Sequence, residues 1–121
     1  MAKKILVVDD EENIVRMLVE RLEANKYKVL IAYSGKQALE KVTQETPDLI
    51  LLDIMMPGMD GFQVLHKLKS EFTTSRIPVI MLTCKADSDS ILNAQDLEAA
   101  DYLIKPYEAD ELLRMVRKHT L

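Results

Sequence analysis

Residues 5–12 read ILVVDDEE: four apolar side chains run straight into four carboxylates. A continuous apolar run of this length suits a strand covered on both faces. Adjacent carboxylates at its end repel one another and raise each other's pKa unless a cation lies between them. The stretch therefore asks for a buried strand and for a reason to end it in acid.

The pattern recurs along the chain. Short apolar runs at 5–8, 29–31, 49–52, 79–82 and 102–104 alternate with amphipathic stretches, and most lack the polar alternation of a strand with one wet face. In the first helical stretch Ile14, Met17, Leu18 and Leu22 repeat at helical spacing and are expected to face inward. Ser34 is placed to cap a second helix carrying Ala38, Leu39 and Val42. Asp60 caps a third, lined by Phe62, Leu65 and Leu68. A less regular fourth, 88–97, offers Ile91 and Leu92, and a fifth, 109–118, offers Leu112, Leu113 and Val116 with acids early and bases late. Strand and helix repeated five times predict a doubly wound α/β three-layer sandwich.

Composition narrows the function. The chain has 121 residues, 48% of them hydrophobic, enough for one domain with its own core. A formal net charge of −4 gives no support to direct nucleic-acid binding. The single cysteine, Cys84, leaves no internal disulfide, and the protein reads as cytoplasmic. No apolar run reaches the ~20 residues that cross a bilayer, so no membrane association is expected. The expectation is one domain over residues 1–121 with no output domain in the chain.

In a doubly wound fold, ligands bind beyond the carboxyl ends of the strands. Asp9 and Asp10 follow the first run, Asp53 the third, Thr83 the fourth and Lys105 the fifth, so three carboxylates, a hydroxyl and an ammonium converge on one edge. A small open carboxylate cluster suits magnesium, which keeps water and phosphate oxygens in its shell. Zinc and EF-hand spacings are missing, and Gly35, Gly58 and Gly61 form no nucleotide-binding motif.

The stretches ILVVDDEE, PDLILLDIMMPGMDG, PVIMLTCKA and DYLIKPY, in this order over essentially the whole chain, resemble the receiver domain of bacterial two-component response regulators, the CheY-like family. The resemblance implies a five-stranded parallel sheet in the order 2-1-3-4-5. It implies a phosphoryl group taken by Asp53 from a sensor histidine kinase or a histidine phosphotransfer protein. Asp10 then matches the main Mg2+ (or Mn2+) ligand, assisted by Asp9, Asp53 and the backbone carbonyl of Met55. Lys105 matches the lysine that holds a phosphoryl oxygen, preceding Pro106 across a cis bond. Thr83 and Tyr102 match a hydroxyl and aromatic switch pair. Their movement would remodel the surface of the fourth helix, fifth strand and fifth helix, which is also a possible homodimer face. Such a protein is not an enzyme toward other substrates. It acts on a downstream protein or on an output domain lying elsewhere.

Pro57 and Gly58 suit a tight turn after the acceptor, with Gly61 opening the third helix. His66 reads as a surface histidine, and His119 suits a helix carboxyl end. Several positions depart from the family pattern. Cys84 stands where alanine is usual and is expected as a small buried residue, the alternative being hindered entry or oxidation. Ala94 and Glu98 replace glycines and are expected to stiffen the fourth helix and its exit. Met55 and Lys85 offer no general base, so slow self-dephosphorylation is expected. A metal-dependent phosphohydrolase would need a second positioned acid or base and a cap, which the sequence lacks. A binding-only pseudo-receiver is disfavoured by intact Asp10, Asp53, Thr83 and Lys105.

Overall fold

The computed structural model describes residues 2–84 and 87–121. Among these, five strands alternate with five helices: β1 Lys4–Val8, α1 Glu12–Ala24, β2 Lys28–Ala32, α2 Gly35–Glu45, β3 Leu49–Asp53, α3 Gly61–Ser70, β4 Val79–Thr83, α4 Ser88–Asp96, β5 Asp101–Ile104 and α5 Ala109–His119. The strands form one parallel sheet in the order β2-β1-β3-β4-β5, the order implied by the resemblance.

The three central strands are apolar on both faces because both faces are covered. Leu6, Val8, Ile50, Leu52, Val79 and Met81 pack with residues of α2, α3 and α4. Their alternates Ile5, Val7, Leu49, Leu51, Ile80 and Leu82 pack with α1 and α5. Period-two alternation thus divides one apolar run between two cores.

Local sequence explains several element ends. Ser34 caps α2 by accepting from the Gln37 amide, and Asp60 forms a reciprocal capping box with Gln63 at the start of α3. Gly58 adopts the positive φ expected of the turn. Gly61 serves a different purpose: a Cβ there would run into the Asp53 carbonyl and come within 2.7 Å of Ile54 Cα. Close approach, rather than a special φ, makes that glycine necessary.

Four sequence expectations need correction. In α1 the buried stripe is Val15, Leu18 and Leu22, while Ile14 is half-buried and Met17 exposed. In α4 the buried residues are Ser90 and Ala94, with Leu92 turned to solvent and Ile91 half-buried. Cys84 is exposed rather than buried. Glu98 lies past the end of α4 at φ 66°, so helix propensity is irrelevant there. Its amide donates to Gln95 and that of Ala99 to Ala94, which closes the helix in a Schellman arrangement whose left-handed position usually holds glycine.

Candidate functional site

Parallel register brings the strand ends level. Val8 pairs with Leu52, Asp53 with Leu82, and Thr83 with Ile104. The ladder continues one residue further at two places: the Asp9 amide donates to Ala32 and the Lys105 amide to Thr83. These bonds fix the backbones from which Asp9 and Lys105 project. Asp9 is further held because its carboxylate accepts from the Glu11 amide at 3.0 Å, at the entry to α1.

Carboxylate oxygens of Asp9, Asp10 and Asp53 all lie within 4.8 Å of one another. Asp9 and Asp53 are buried, at 2% and 6% exposure, whereas Asp10 is exposed and forms the open side of the cluster. Lys105 reaches in from the far strand. Its Nζ lies 3.3 Å from Asp9 Oδ2 and 4.0 Å from Asp53 Oδ1. Asp9 is therefore its nearer partner.

The charges do not balance. Three carboxylates face one ammonium, leaving two formal negative charges, which is what a divalent cation neutralises. The pKa of Asp53 rises from 3.8 to about 6. Burial is the main cause, and Asp9 and Asp10 push the same way, while Lys105 and the Met55 amide pull back. Burial alone would lower the Lys105 pKa, but Asp53 and Asp9 outweigh it and the net shift is upward. Buried carboxylate oxygens flanked by an exposed one fit a hard cation that retains water.

The remaining expected residues fall around this cluster. Thr83 is fully buried at the end of β4. Tyr102 is half-buried on β5 and packs against the core under α4. Its phenol pKa is raised by burial and then by Asp87, the α4 N-cap, so ring and helix start are neighbours. Met55 is 57% exposed, with its side chain directed to solvent just beyond β3. The Lys105-Pro106 bond is cis. His66 is exposed, as expected, and His119 ends α5 with its Nε2 3.2 Å from Asp101 Oδ2. Lys85 lies outside the described residues.

Tyr107 is a neighbour for which the sequence pattern supplied no role. It is half-buried against the α1–α5 core, and its pKa is raised by burial, with Lys105 and Arg21 opposing. Its signal was present but weak: an aromatic two residues beyond the strand-end lysine.

Comparison with known proteins agrees with this geometry. Residues 5–117 match the family model for the response regulator receiver domain. The chain is 40% identical over 114 residues to response regulator ArlR of Staphylococcus saprophyticus, covering 94% of this chain and 50% of that protein. It is 43% identical over 120 residues to response regulator PleD of Caulobacter vibrioides, covering 99% of this chain and 26% of that one. The BeF3-activated N-terminal receiver domain of Klebsiella pneumoniae RstA superposes with a TM-score of 0.90 at 29% identity, covering 97% of each chain. The chain belongs to the response regulator receiver domain family, the phosphorelay modules of two-component signalling. It spans about half and about a quarter of the two curated relatives' lengths. No described helix is long and apolar enough to cross a membrane.

Proposed function

We propose that Asp53 accepts a phosphoryl group from a phosphohistidine of a sensor kinase or phosphotransfer protein and that the change is read on the α4–β5–α5 surface. The observation that carries this reading is the juxtaposition of three carboxylates within 4.8 Å with Lys105 at 3.3 and 4.0 Å from two of them.

In the transfer, an Asp53 carboxylate oxygen attacks phosphorus. An O–P bond forms as the donor's N–P bond breaks, and the imidazole leaves with the bonding pair and takes a proton. Asp10, Asp9, Asp53 and the Met55 carbonyl would hold Mg2+ or Mn2+, which when bound offsets charge on the phosphoryl oxygens. Lys105 is within side-chain reach of Asp53 and supplies a donor to one of those oxygens. The Met55 backbone lowers the Asp53 pKa and so favours the ionised nucleophile. The new group carries nearly two negative charges and three acceptors. Thr83 would donate to it, and Tyr102 would follow, shifting the population of the α4–β5–α5 surface.

The protein is a switch rather than an enzyme acting on other molecules. Residues 1–121 form a single receiver unit, and the output is a downstream protein or a domain carried elsewhere in a longer chain. Phosphorylation would favour a homodimer through α4–β5–α5. Met55 supplies no base beside Asp53, which favours slow loss of the phosphoryl group.

Intact-mass measurement after incubation with magnesium and a small phosphodonor tests the reading. A gain of about 80 Da that disappears in Asp53→Asn and in chelator is expected. No gain, either with the small donor or with a phosphohistidine protein, would leave a binding module on a receiver fold.

A further inference from the structure

At the amino end of the sheet, opposite the carboxylates, a hollow of about 310 Å3 opens between the residues leading into β1, the α1–β2 turn and the end of α5. Lys3, Lys26 and Arg117 line it, one from each of these segments, and no acidic side chain does. All three are exposed. Among the described residues none of them forms an ion pair or donates a side-chain hydrogen bond. Lys105, by contrast, is paired with Asp9, and Lys118 with Asp101. A chain with a formal net charge of −4 thus gathers three unpaired cations round one concavity.

Helix carboxyl ends attract cations, and α1 and α5 both end here. Their last carbonyls, however, are already bonded. At α1 the Leu22 carbonyl accepts from the Asn25 and Tyr27 amides, that of Glu23 from the Lys26 amide, and that of Arg21 from the Asn25 side chain. At α5 the Thr120 hydroxyl donates to the Val116 carbonyl and the Thr120 amide to that of Arg117. The three cationic groups are therefore not needed to close either helix. Like charges held round one space repel until an anion lies between them.

We infer that this hollow binds a small polyanion of linked phosphates, inorganic or carried by a nucleotide. Arg117 offers a planar fork to two oxygens of one phosphate, and Lys3 and Lys26 supply point charges to its neighbours. Cations brought from three segments match charge spread along a phosphate chain better than charge on a single phosphate. The hydroxyls beside them are committed: Thr120 donates to Val116, so Tyr27 donates to Thr120 at 3.3 Å. Recognition therefore rests on charge, and the base of a nucleotide adds little to it. This site goes beyond the phosphoacceptor reading and requires neither metal nor Asp53.

Calorimetric and amide-NMR titration of the chain with sodium tripolyphosphate, in chelator at about 50 mM salt, tests it. A dissociation constant below about 1 mM is expected, with amide shifts centred on Lys3, Lys26 and Arg117. Lys26→Gly, which suits the positive φ of that turn, and Arg117→Gln should each raise it at least about fivefold. Lys36→Gln, at an exposed cation of α2, should leave it within about twofold. Inorganic phosphate should bind at least about tenfold more weakly, and a nucleoside triphosphate within about threefold of tripolyphosphate. No heat and no shift at about 5 mM overturns the inference. Binding that Lys26→Gly and Arg117→Gln leave unchanged overturns it too, and so does equal weakening by Lys36→Gln, since the attraction would then be diffuse. Inorganic phosphate binding as tightly as tripolyphosphate, or a nucleotide binding where tripolyphosphate does not, overturns the linked-phosphate chemistry.

Discussion

Helices α3 and α4 both leave the carboxyl edge of the sheet, after neighbouring strands, but they are attached differently. Over ten residues α3 buries Gly61, Val64, Leu65 and Leu68, starts in a full capping box, and presses its first residue against the end of β3. Over nine residues α4 buries only Ser90 and Ala94, turns Leu92 outward and leaves through a left-handed glutamate. The helix after β3 is held by large apolar side chains and backbone contact. The helix on the proposed output side is held by small ones, which is where local opening costs least. Geometry is fixed beside the carboxylates and loose on the side proposed to report a change there.

The strongest test of this contrast is Gly61→Val. Its side chain must displace the Asp53 carbonyl and the Ile54 backbone, neither of which is a flexible chain end. A loss of about 4 kcal/mol or more in urea unfolding is expected. Ala94→Gly on α4 should cost only about 1–2 kcal/mol, from helix propensity and one buried methyl. Equal losses would remove the distinction between the two helices.

The next effect concerns Asp53 itself. Its folded pKa of about 6 lies above the ordinary 3.8, so between these values the folded state binds more protons than the unfolded one. Metal-free protein should therefore lose stability as pH rises through this window, by roughly 2–3 kcal/mol in total. Lys105 titrates in the alkaline range and leaves the window untouched: its raised folded pKa gives stability that is lost only as pH rises beyond 10.5. Asp53→Asn should flatten the acid-side slope and leave the protein more stable at neutral pH by a similar amount. Urea unfolding from about pH 4 to about pH 8 in chelator measures both. An unchanged slope in the variant would assign it to another group.

How much of this was legible in the sequence depends on what signalled burial. Asp9, Asp53, Thr83 and Lys105 were found because each interrupts or follows an apolar run, and parallel register then brings such positions level. Helices α3 and α5 bury leucine and valine and α2 buries Ala38 and Val42, so their inward faces were broadly readable, although Val64 was missed. In α1, Ile14, Val15, Met17, Leu18 and Val19 offer two overlapping stripes, and contact with the sheet selects the one through Val15. In α4 the buried residues are a serine and an alanine, which hydrophobic periodicity does not mark. The nearer pairing of Lys105 with Asp9 than with Asp53 is a distance of folding, with no local sequence signature. Cys84 was misplaced because an apolar neighbour of a buried strand end need not share its burial.

Glu98 refines the comparison at smaller scale. A non-glycine residue at φ 66° carries local strain, and the Schellman bonds around it tolerate glycine without rearrangement. Glu98→Gly should raise stability by about 1 kcal/mol, less the cost of a more flexible unfolded chain. Chemical unfolding checks the sign. A loss would mean that the side chain stabilises the exit, and its charge beside Lys69 would be the group responsible.

The smallest effect is expected at Leu92. At 54% exposure it contributes little buried area, so Leu92→Ser should change stability by less than about 0.5 kcal/mol. Leu65→Ala on α3 should cost about 2–5 kcal/mol, because that side chain is fully buried. A leucine kept in water on the middle of a short helix does nothing for the resting fold. Its apolar surface becomes useful only when another surface covers it, so on the proposed reading Leu92→Ser should spare phosphorylation of Asp53 and weaken whatever the phosphorylated protein binds. Intact mass and a dimerisation assay of the phosphorylated form separate the two. Reduced phosphorylation in the variant would place Leu92 in donor docking instead of output.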